Sequence, residues 1–337
     1  MVRKRVTQVD IARATGVSQA TVSQVLSNKG LVGIPAETHQ RIFEAASALG
    51  YAPDVAARSL RTGKTLTIAS VIPDITNPFY PEFQHGIQSV TDDHGYDLIL
   101  YNTGGGAEKE RKSLHSLQER RVDGAIVVLF HMGAARLRDL LEKGTAIVRL
   151  VAKKPDHSDW PLDNLYLNNE AAAHAATTYL IGRGHRLIAF IGGELGPSPE
   201  RARGYRRALS EAGLQVSRDL MRLGNFTFEG GHQAAHELLA LPSSPTAVFA
   251  ANDLMALGAL AALREAGLRA PDDLAVMGFD DLPAASLVSP ALTTVTQFSN
   301  RLGHRAAEML FEHLAGLVPN QGRSEEAPFE LCIRESA

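Results

Sequence analysis

The stretch TQVDIARATGVSQATVSQVLSN, Thr7 to Asn28, leaves this chain few options. It reads as two short helices joined by a tight turn. Thr7 is placed to cap the first helix, and Asp10 follows three residues on, close to a capping-box pattern. Val9, Ile11, Ala12 and Ala14 supply small apolar contacts. Gly16 stands where the chain must reverse, and glycine reaches positive φ without steric cost. Ser18 is placed to cap the second helix. Along that helix Val22, Val25 and Leu26 recur at helical spacing and should face a core. The opposite face carries Gln19, Ala20, Thr21, Ser23, Gln24 and Asn28. It is uncharged and rich in hydrogen-bonding groups, which suits the base edges of a DNA major groove. Any small helical bundle can contain a Gly turn, so three further features carry the reading. The helices are short, the polar face is amide- and hydroxyl-rich instead of salt-bridged, and the flank Arg3, Lys4, Arg5 is basic.

The run A-x-x-x-G-V-S-x-x-T-V-S-x-V-L within this stretch resembles the opening signature of the lac repressor family of bacterial transcription regulators. The resemblance extends over essentially the whole chain. It implies DNA contacts from Thr7, Gln8, Ser18, Gln19, Ala20, Thr21, Ser23, Gln24 and Asn28. The family usually has Arg where Gln24 stands. Arg pairs bidentately with guanine whereas Gln prefers adenine, so the operator should differ at that position.

Charge is distributed as a DNA-binding role requires. The chain of 337 residues carries a net charge of only −3. Residues 1–64 hold nine Lys/Arg against four Asp/Glu, or +5, which leaves −8 for the rest. A basic arm on an acidic body is the footprint of a nucleic-acid binder. One cysteine, Cys332, excludes an internal disulfide and a cysteine-based metal cluster. No apolar run approaches a membrane span, and the basic start lacks an apolar signal region, so a cytoplasmic protein is expected. The twelve histidines show no spacing typical of a metal site. No nucleophile-and-base arrangement stands out; neither enzyme activity, a metal nor a cofactor is expected.

After Asn28, Pro35 and Glu37 open a third helix at 36–49. Ile42, Phe43, Ala46 and Leu49 give it an apolar stripe, and Gly50 ends it. Residues 1–50 thus form a helix-turn-helix headpiece. Residues 51–64 read as a linker helix. By resemblance they are the family's hinge helix, with Ala57 and Leu60 at the DNA and Leu60 as a minor-groove wedge. A plain linker with Leu60 packed on the body stays open. The family usually has Asn where Asp54 stands, and a carboxylate near phosphates is unhelpful.

From Leu66 the texture changes. Apolar runs (LTIASVI, DLILY, DGAIVVL, TAIVRLV) alternate with helical stretches at 79–94 and 108–120. After a linker at 153–164 the pattern restarts with LIAFIGG, 200–213, a strand near 221–223, 229–241, TAVFAAND, 254–267 and LAVMGFDD. Repeated β-α units imply parallel sheets covered by helices on both faces. Two such halves imply a cleft beyond the carboxyl ends of the strands. By resemblance this is a two-lobed, periplasmic-binding-protein-like α/β core with Rossmann-like parallel sheets. Its N-terminal lobe is expected at 65–164 and 294–322, and its C-terminal lobe at 165–293 and 323–337.

Several of the expected strand ends carry groups suited to a polyhydroxylated ring: Asn77, Phe79, Tyr80, Arg201, Phe226, Asn252, Asp280 and Gln297. Carboxylate, amide and guanidinium groups fork paired hydroxyls, and aromatic faces cover a ring's apolar side. Each also matches an effector-contacting position of the family or of related sugar-binding proteins. Asp253 and Asp281 read as structural neighbours. The segment after TAIVRLV departs from the sugar-binding pattern, with Val151, Ala152, Lys153, Lys154 and the lone Trp160. It reads as a remodelled pocket wall, where Arg149, Lys153 and Lys154 either meet an acidic effector or are surface charges. Gly104 to Gly106 either cradle a phosphate or lead flexibly into helix 108–120.

The resemblance implies a homodimer, since the chain ends without a leucine-heptad tail. Two copies would bind a pseudo-palindromic double-stranded operator under control of a small effector, a sugar or sugar derivative. The alternatives are a purine-type corepressor, in which ligand favours DNA, and a solute-binding protein without a DNA role.

Overall fold

A computed structural model describes residues 6–26, 33–52, 63–120, 122–155, 160–318 and 321–337. The chain divides into two units, Met1–Thr65 and Leu66–Ala337. No helix among the described residues is long and apolar enough to cross a membrane.

The first unit holds α1 (Gln8–Thr15), α2 (Gln19–Leu26) and α3 (Ala36–Leu49). At the start of α1 the backbone N–H of Thr7 donates to Asp10 Oδ2 at 2.9 Å, and its hydroxyl donates to the same oxygen at 2.7 Å. Gly16 turns the chain in the left-handed region at φ 69°, and Ser18 Oγ accepts the N–H of Thr21 at 3.1 Å to cap α2. Ile11, Val22, Val25, Ile42 and Ala46 form the core. The expected α3 stripe is narrower than its spacing suggests. Phe43 is 53% exposed and Leu49 40%, because only the i, i+4 pair Ile42 and Ala46 faces α1 and α2. Val9 and Ala14 are likewise on the surface. The Arg41 guanidinium donates to the Thr15 carbonyl and ties α3 to the end of α1.

The second unit begins with β1 (Thr67–Ile72), α4 (Phe79–Asp93), β2 (Asp97–Asn102), α5 (Ala107–Arg120) and β3 (Gly124–Val127). A short α6 (Arg138–Glu142), β4 (Ala146–Val151) and β5 (Asp163–Leu167) follow. Then come α7 (Asn169–Gly182), β6 (Ile188–Gly192), α8 (Ser198–Glu211), β7 (Met221–Leu223), α9 (Phe228–Leu239), β8 (Ala247–Ala250) and α10 (Asp253–Glu265). The chain ends with β9 (Ala275–Met277), α11 (Pro283–Leu287), β10 (Thr294–Thr296), α12 (Ser299–Leu314), β11 (Ser324–Ala327) and β12 (Glu330–Cys332).

These strands make a six-stranded sheet in the order β11-β5-β4-β3-β1-β2 and a four-stranded sheet in the order β7-β6-β8-β9. Every pairing in both is parallel. Strands β3, β6, β8 and β9 are buried along their whole length, the reason their sequences are unbroken apolar runs; β5 is equally buried but opens on Asp163 and Asn164, which accept hydrogen bonds from Arg323 and Arg149. The edge strand β2 alternates partly buried with exposed residues. The antiparallel pair β10-β12 joins the smaller sheet through bridges Met277↔Thr293 and Asp280↔Thr296.

The expected lobe boundaries therefore shift. Strand β5 stays in the first sheet, so the first crossing follows Leu167 instead of 164. Strand β10 belongs with the second sheet, which moves the next crossing from 293 to beyond Thr296. Strand β11 pairs with β5, so the last crossing lies between Ala327 and Glu330 instead of at 322. Apolar runs locate strands, but the partner across the hydrogen bonds decides which sheet each joins.

Candidate functional site

A cavity of about 460 Å³ opens where the carboxyl ends of both sheets face each other in the second unit. Loops after β1, β2, β3, β4 and β5 supply lining residues from the first sheet, and those after β6, β7, β9 and β10 supply the rest. This is the location an open parallel sheet offers a ligand, since successive loops diverge there.

Arg201 enters from the third residue after the first turn of α8 begins and is only 2% exposed. Its Nε donates to Asn169 Oδ1 at 2.8 Å, and its Nη1 donates to the Ala251 carbonyl. The guanidinium lies 3.5 Å above the Phe279 ring, and Nη1 stands 3.7 Å from Asp280 Oδ1. Gln297 Nε2 donates to that same carboxylate oxygen at 2.5 Å. Burial pushes the Asp280 carboxyl up to about 8 against the opposing pull of Arg201, and burial also draws Arg201 down to about 10. The three side chains form one polar cluster at the cavity wall, held by partners before any ligand arrives.

The aromatic side is equally built. Asn77 Oδ1 accepts the Phe79 N–H at 3.1 Å, which fixes the start of α4. Phe79 and Tyr80 meet edge to face at 5.1 Å. Burial raises the Tyr80 hydroxyl well above its ordinary value, so it stays a neutral donor. On the other wall Asn225 and Phe226 both have positive φ, 49° and 63°, and that turn delivers Phe226 to the cavity. Phe130 closes in from the β3 loop. A Cβ on Gly196 would strike its ring, so glycine allows that approach.

Seven of the eight expected residues line the cavity: Asn77, Phe79, Tyr80, Arg201, Phe226, Asp280 and Gln297. Asn252 does not. It is fully buried behind the wall, where its Oδ1 accepts the Met255 N–H at 3.0 Å and its Nδ2 donates to the Phe226 carbonyl at 3.1 Å. It therefore caps α10 and tethers Phe226. Asp253 is structural, accepting from the Thr294 hydroxyl and the Leu282 N–H, and Asp281 pairs with Arg334 at 2.6 Å.

Of the two readings left open for Arg149, Lys153 and Lys154, the cavity wall does not include them; after β4 it meets Val151 and Ala152. Arg149 donates twice to Asn164 Oδ1, at 2.9 and 2.6 Å. Lys153 and Lys154 face a neighbouring hollow with Glu170, Glu200 and Glu326. Trp160 packs under the Arg138 guanidinium at 4.7 Å. Gly104 and Gly105 do line the cavity. Sequence reasoning missed Asn169, Asp74, Phe130 and Asn225. The signal for Asn169 was its place at the start of α7, two residues after β5 ends and next to the Asn168 cap.

In the first unit Thr7, Ser18, Gln19, Ala20 and Gln24 are exposed, and Gln8, Thr21 and Ser23 are partly so. The Ser18 and Thr21 hydroxyls bond each other at 2.9 Å. Asn28, Ala57 and Leu60 lie outside the described residues.

Comparison with known proteins agrees with this geometry. Residues 7–54 match the bacterial regulatory proteins of the lacI family, and residues 177–337 match a periplasmic binding protein-like domain. The HTH-type transcriptional repressor PurR of Vibrio campbellii is 39% identical over 330 residues, covering 97% of each chain. Among solved structures, the lac repressor dimer bound to operator and the anti-inducer ONPF is 26% identical, with a TM-score of 0.85 and 99% of each chain covered. A transcriptional regulator CelR-cellobiose complex is 29% identical, with a TM-score of 0.73, covering 99% of this chain and 100% of the other.

Proposed function

The chain belongs to the lacI family of bacterial regulatory proteins, and from that premise we propose a homodimeric repressor whose hold on a pseudo-palindromic operator is set by a small effector bound in the α/β cleft. One observation carries the effector's part. Seven residues chosen for their chemistry line one cavity, although they are spread over more than two hundred positions of sequence. The headpiece carries the DNA part, with the exposed amide face of α2 as the reading surface. The role is binding, not catalysis.

The effector is a sugar or sugar derivative. Asp280, fixed by Arg201 and Gln297, offers a carboxyl that can donate to or accept from a ligand hydroxyl, and Phe226 covers an apolar ring face. A ligand that binds one closure state of the lobes better than another shifts the population of operator-competent protein. It can do so only by its differential affinity for the two states. A purine is the second reading, favoured by the four rings that line the cavity, Phe79, Tyr80, Phe130 and Phe226. Flat bases stack on such surfaces.

A melting screen of the intact protein against sugars, sugar acids, sugar phosphates and purines tests this, with Arg201→Ala alongside. A true effector raises the melting temperature by mass action. A shift lost in Arg201→Ala places the ligand in the cleft. Adding that ligand to an operator-binding assay then separates inducer from corepressor. A shift that persists in the variant would remove the cleft from the proposal.

A further inference from the structure

Helix α9 carries His232 and His236 four residues apart, in the run Phe-Glu-Gly-Gly-His-Gln-Ala-Ala-His. That spacing stacks two side chains on one helical face. The last residue of α10, Glu265, meets both. His232 Nε2 lies 2.9 Å from Glu265 Oε2, and His236 Nε2 lies 3.4 Å from the same oxygen. The two imidazoles are 4.6 Å apart and inclined at 72°, so their outer nitrogens converge on the carboxylate. The three donor atoms lie within 4.8 Å of one another.

We propose that His232, His236 and Glu265 form a binding site for a divalent transition metal of the zinc class. Two imidazoles and a carboxylate are the donor set of such ions, whereas magnesium and calcium take oxygen ligands. Metal–donor distances of about 2.0–2.2 Å place the ligand atoms of a tetrahedral site roughly 3.3–3.5 Å apart. The present separations reach that with small side-chain rotations. The outward position is left for water.

The backbone beneath makes the triangle rigid. A Cβ on Gly231 would strike the Met255 backbone, and one on Gly258 would strike the Phe228 carbonyl and the His232 N–H. No side chain separates the two helices there, so α9 and α10 touch backbone to backbone beside the first histidine. Phe228 stacks on His232 at 6.4 Å and limits its ring rotation. A bound ion would clamp α9 to α10. The starts of these helices follow Phe226 and carry Asn252, the two residues joined at the cavity wall.

Cobalt(II) titration of the metal-free full-length protein tests the site. One equivalent should give the visible absorption of a low-coordinate cobalt–imidazole centre, and zinc should displace it. His232→Gln and His236→Gln should each abolish the band, and Glu265→Gln should weaken binding by at least about tenfold. His115→Gln, an exposed control on another helix, should change nothing. Zinc should also raise the melting temperature of the wild type but not of His236→Gln, which reads the site without a chromophore. The absence of a band, or a band and melting shift that survive in His236→Gln, would overturn the proposal.

Discussion

Asp280 concentrates the chemistry of the cavity in one carboxyl. Burial raises it to about 8, above the unfolded value of about 3.9. A group raised on folding contributes stability that is fully present below its unfolded value and is lost as pH climbs through its folded value. The melting temperature should therefore fall between about pH 4 and 8 for this reason, and Asp280→Asn should flatten that fall. Melting curves across this range check it; an unchanged slope would place the sensitivity elsewhere, for example at Asp253, which burial raises to about 6. Gln24 is the corresponding single residue on the DNA side. Gln24→Arg should move base preference from adenine toward guanine at one position per half-site, a discrimination of about 1–3 kcal/mol. A binding selection on randomised operators reads this directly, and an unaltered preference would remove Gln24 from the reading surface.

Helix ends, more than helix interiors, build the cavity. Asn77 fixes the start of α4, Asn252 the start of α10, and Thr227, whose Oγ1 accepts the Gly230 N–H at 3.0 Å, the start of α9. Asn77 thereby sets Phe79 and Thr227 adjoins Phe226 at the cleft, whereas Asn252 reaches it only through its bond to the Phe226 carbonyl. Asn252→Ala removes a cap and takes the side-chain partner from the buried Met255 N–H and the part-buried Phe226 carbonyl, a cost of about 2 kcal/mol. The same change frees the Phe226 turn, whose positive φ is strained for a phenylalanine. Both stability and effector affinity should drop, by melting and by calorimetry, although Asn252 never touches the ligand. A stability loss with unaltered affinity would show that the Phe226 turn holds by itself. Helix pairs α4 with α12 and α7 with α8 use the same close glycine contact as α9 with α10, at Gly86 and Gly303 and at Gly204. Substitution there would force the paired helices apart.

Regulation requires the cleft and the operator-binding surface to share one free energy. Linkage makes the effect reciprocal: the factor by which effector changes operator affinity equals the factor by which operator changes effector affinity. Couplings of about 1–3 kcal/mol correspond to roughly 5–150-fold. Titrating effector with and without operator, and operator with and without effector, should return the same factor. Unequal factors would mean that a further binding event, such as a change in assembly, has been left out of the cycle. The split of charge, +5 in residues 1–64 and −8 in the rest, further predicts that operator affinity falls with added salt while effector affinity barely changes.

Local pattern was enough for much of this protein. Gly16 between two capped helices, the apolar runs of buried parallel strands, and the polar residues that end them are all short-range signals. They were sufficient for the helix-turn-helix and the repeated α/β plan, and together with the family resemblance they pointed to the seven lining residues. Pairing between distant segments was not legible. The sheet that β5, β10 and β11 join, the departure of Lys153 and Lys154 from the cavity, and the withdrawal of Asn252 behind Phe226 depend on which backbone groups meet across the fold. The same holds for His232, His236 and Glu265. His232 and His236 do stand at i and i+4, a spacing zinc sites use, so the expectation that no histidine spacing suits a metal passed over them; the third ligand, twenty-nine residues away in sequence, becomes their neighbour only because glycines let α9 and α10 touch. Periodicity and capping act within a few residues of chain, whereas a site assembled from several loops exists only once hydrogen bonding and close packing have chosen the partners.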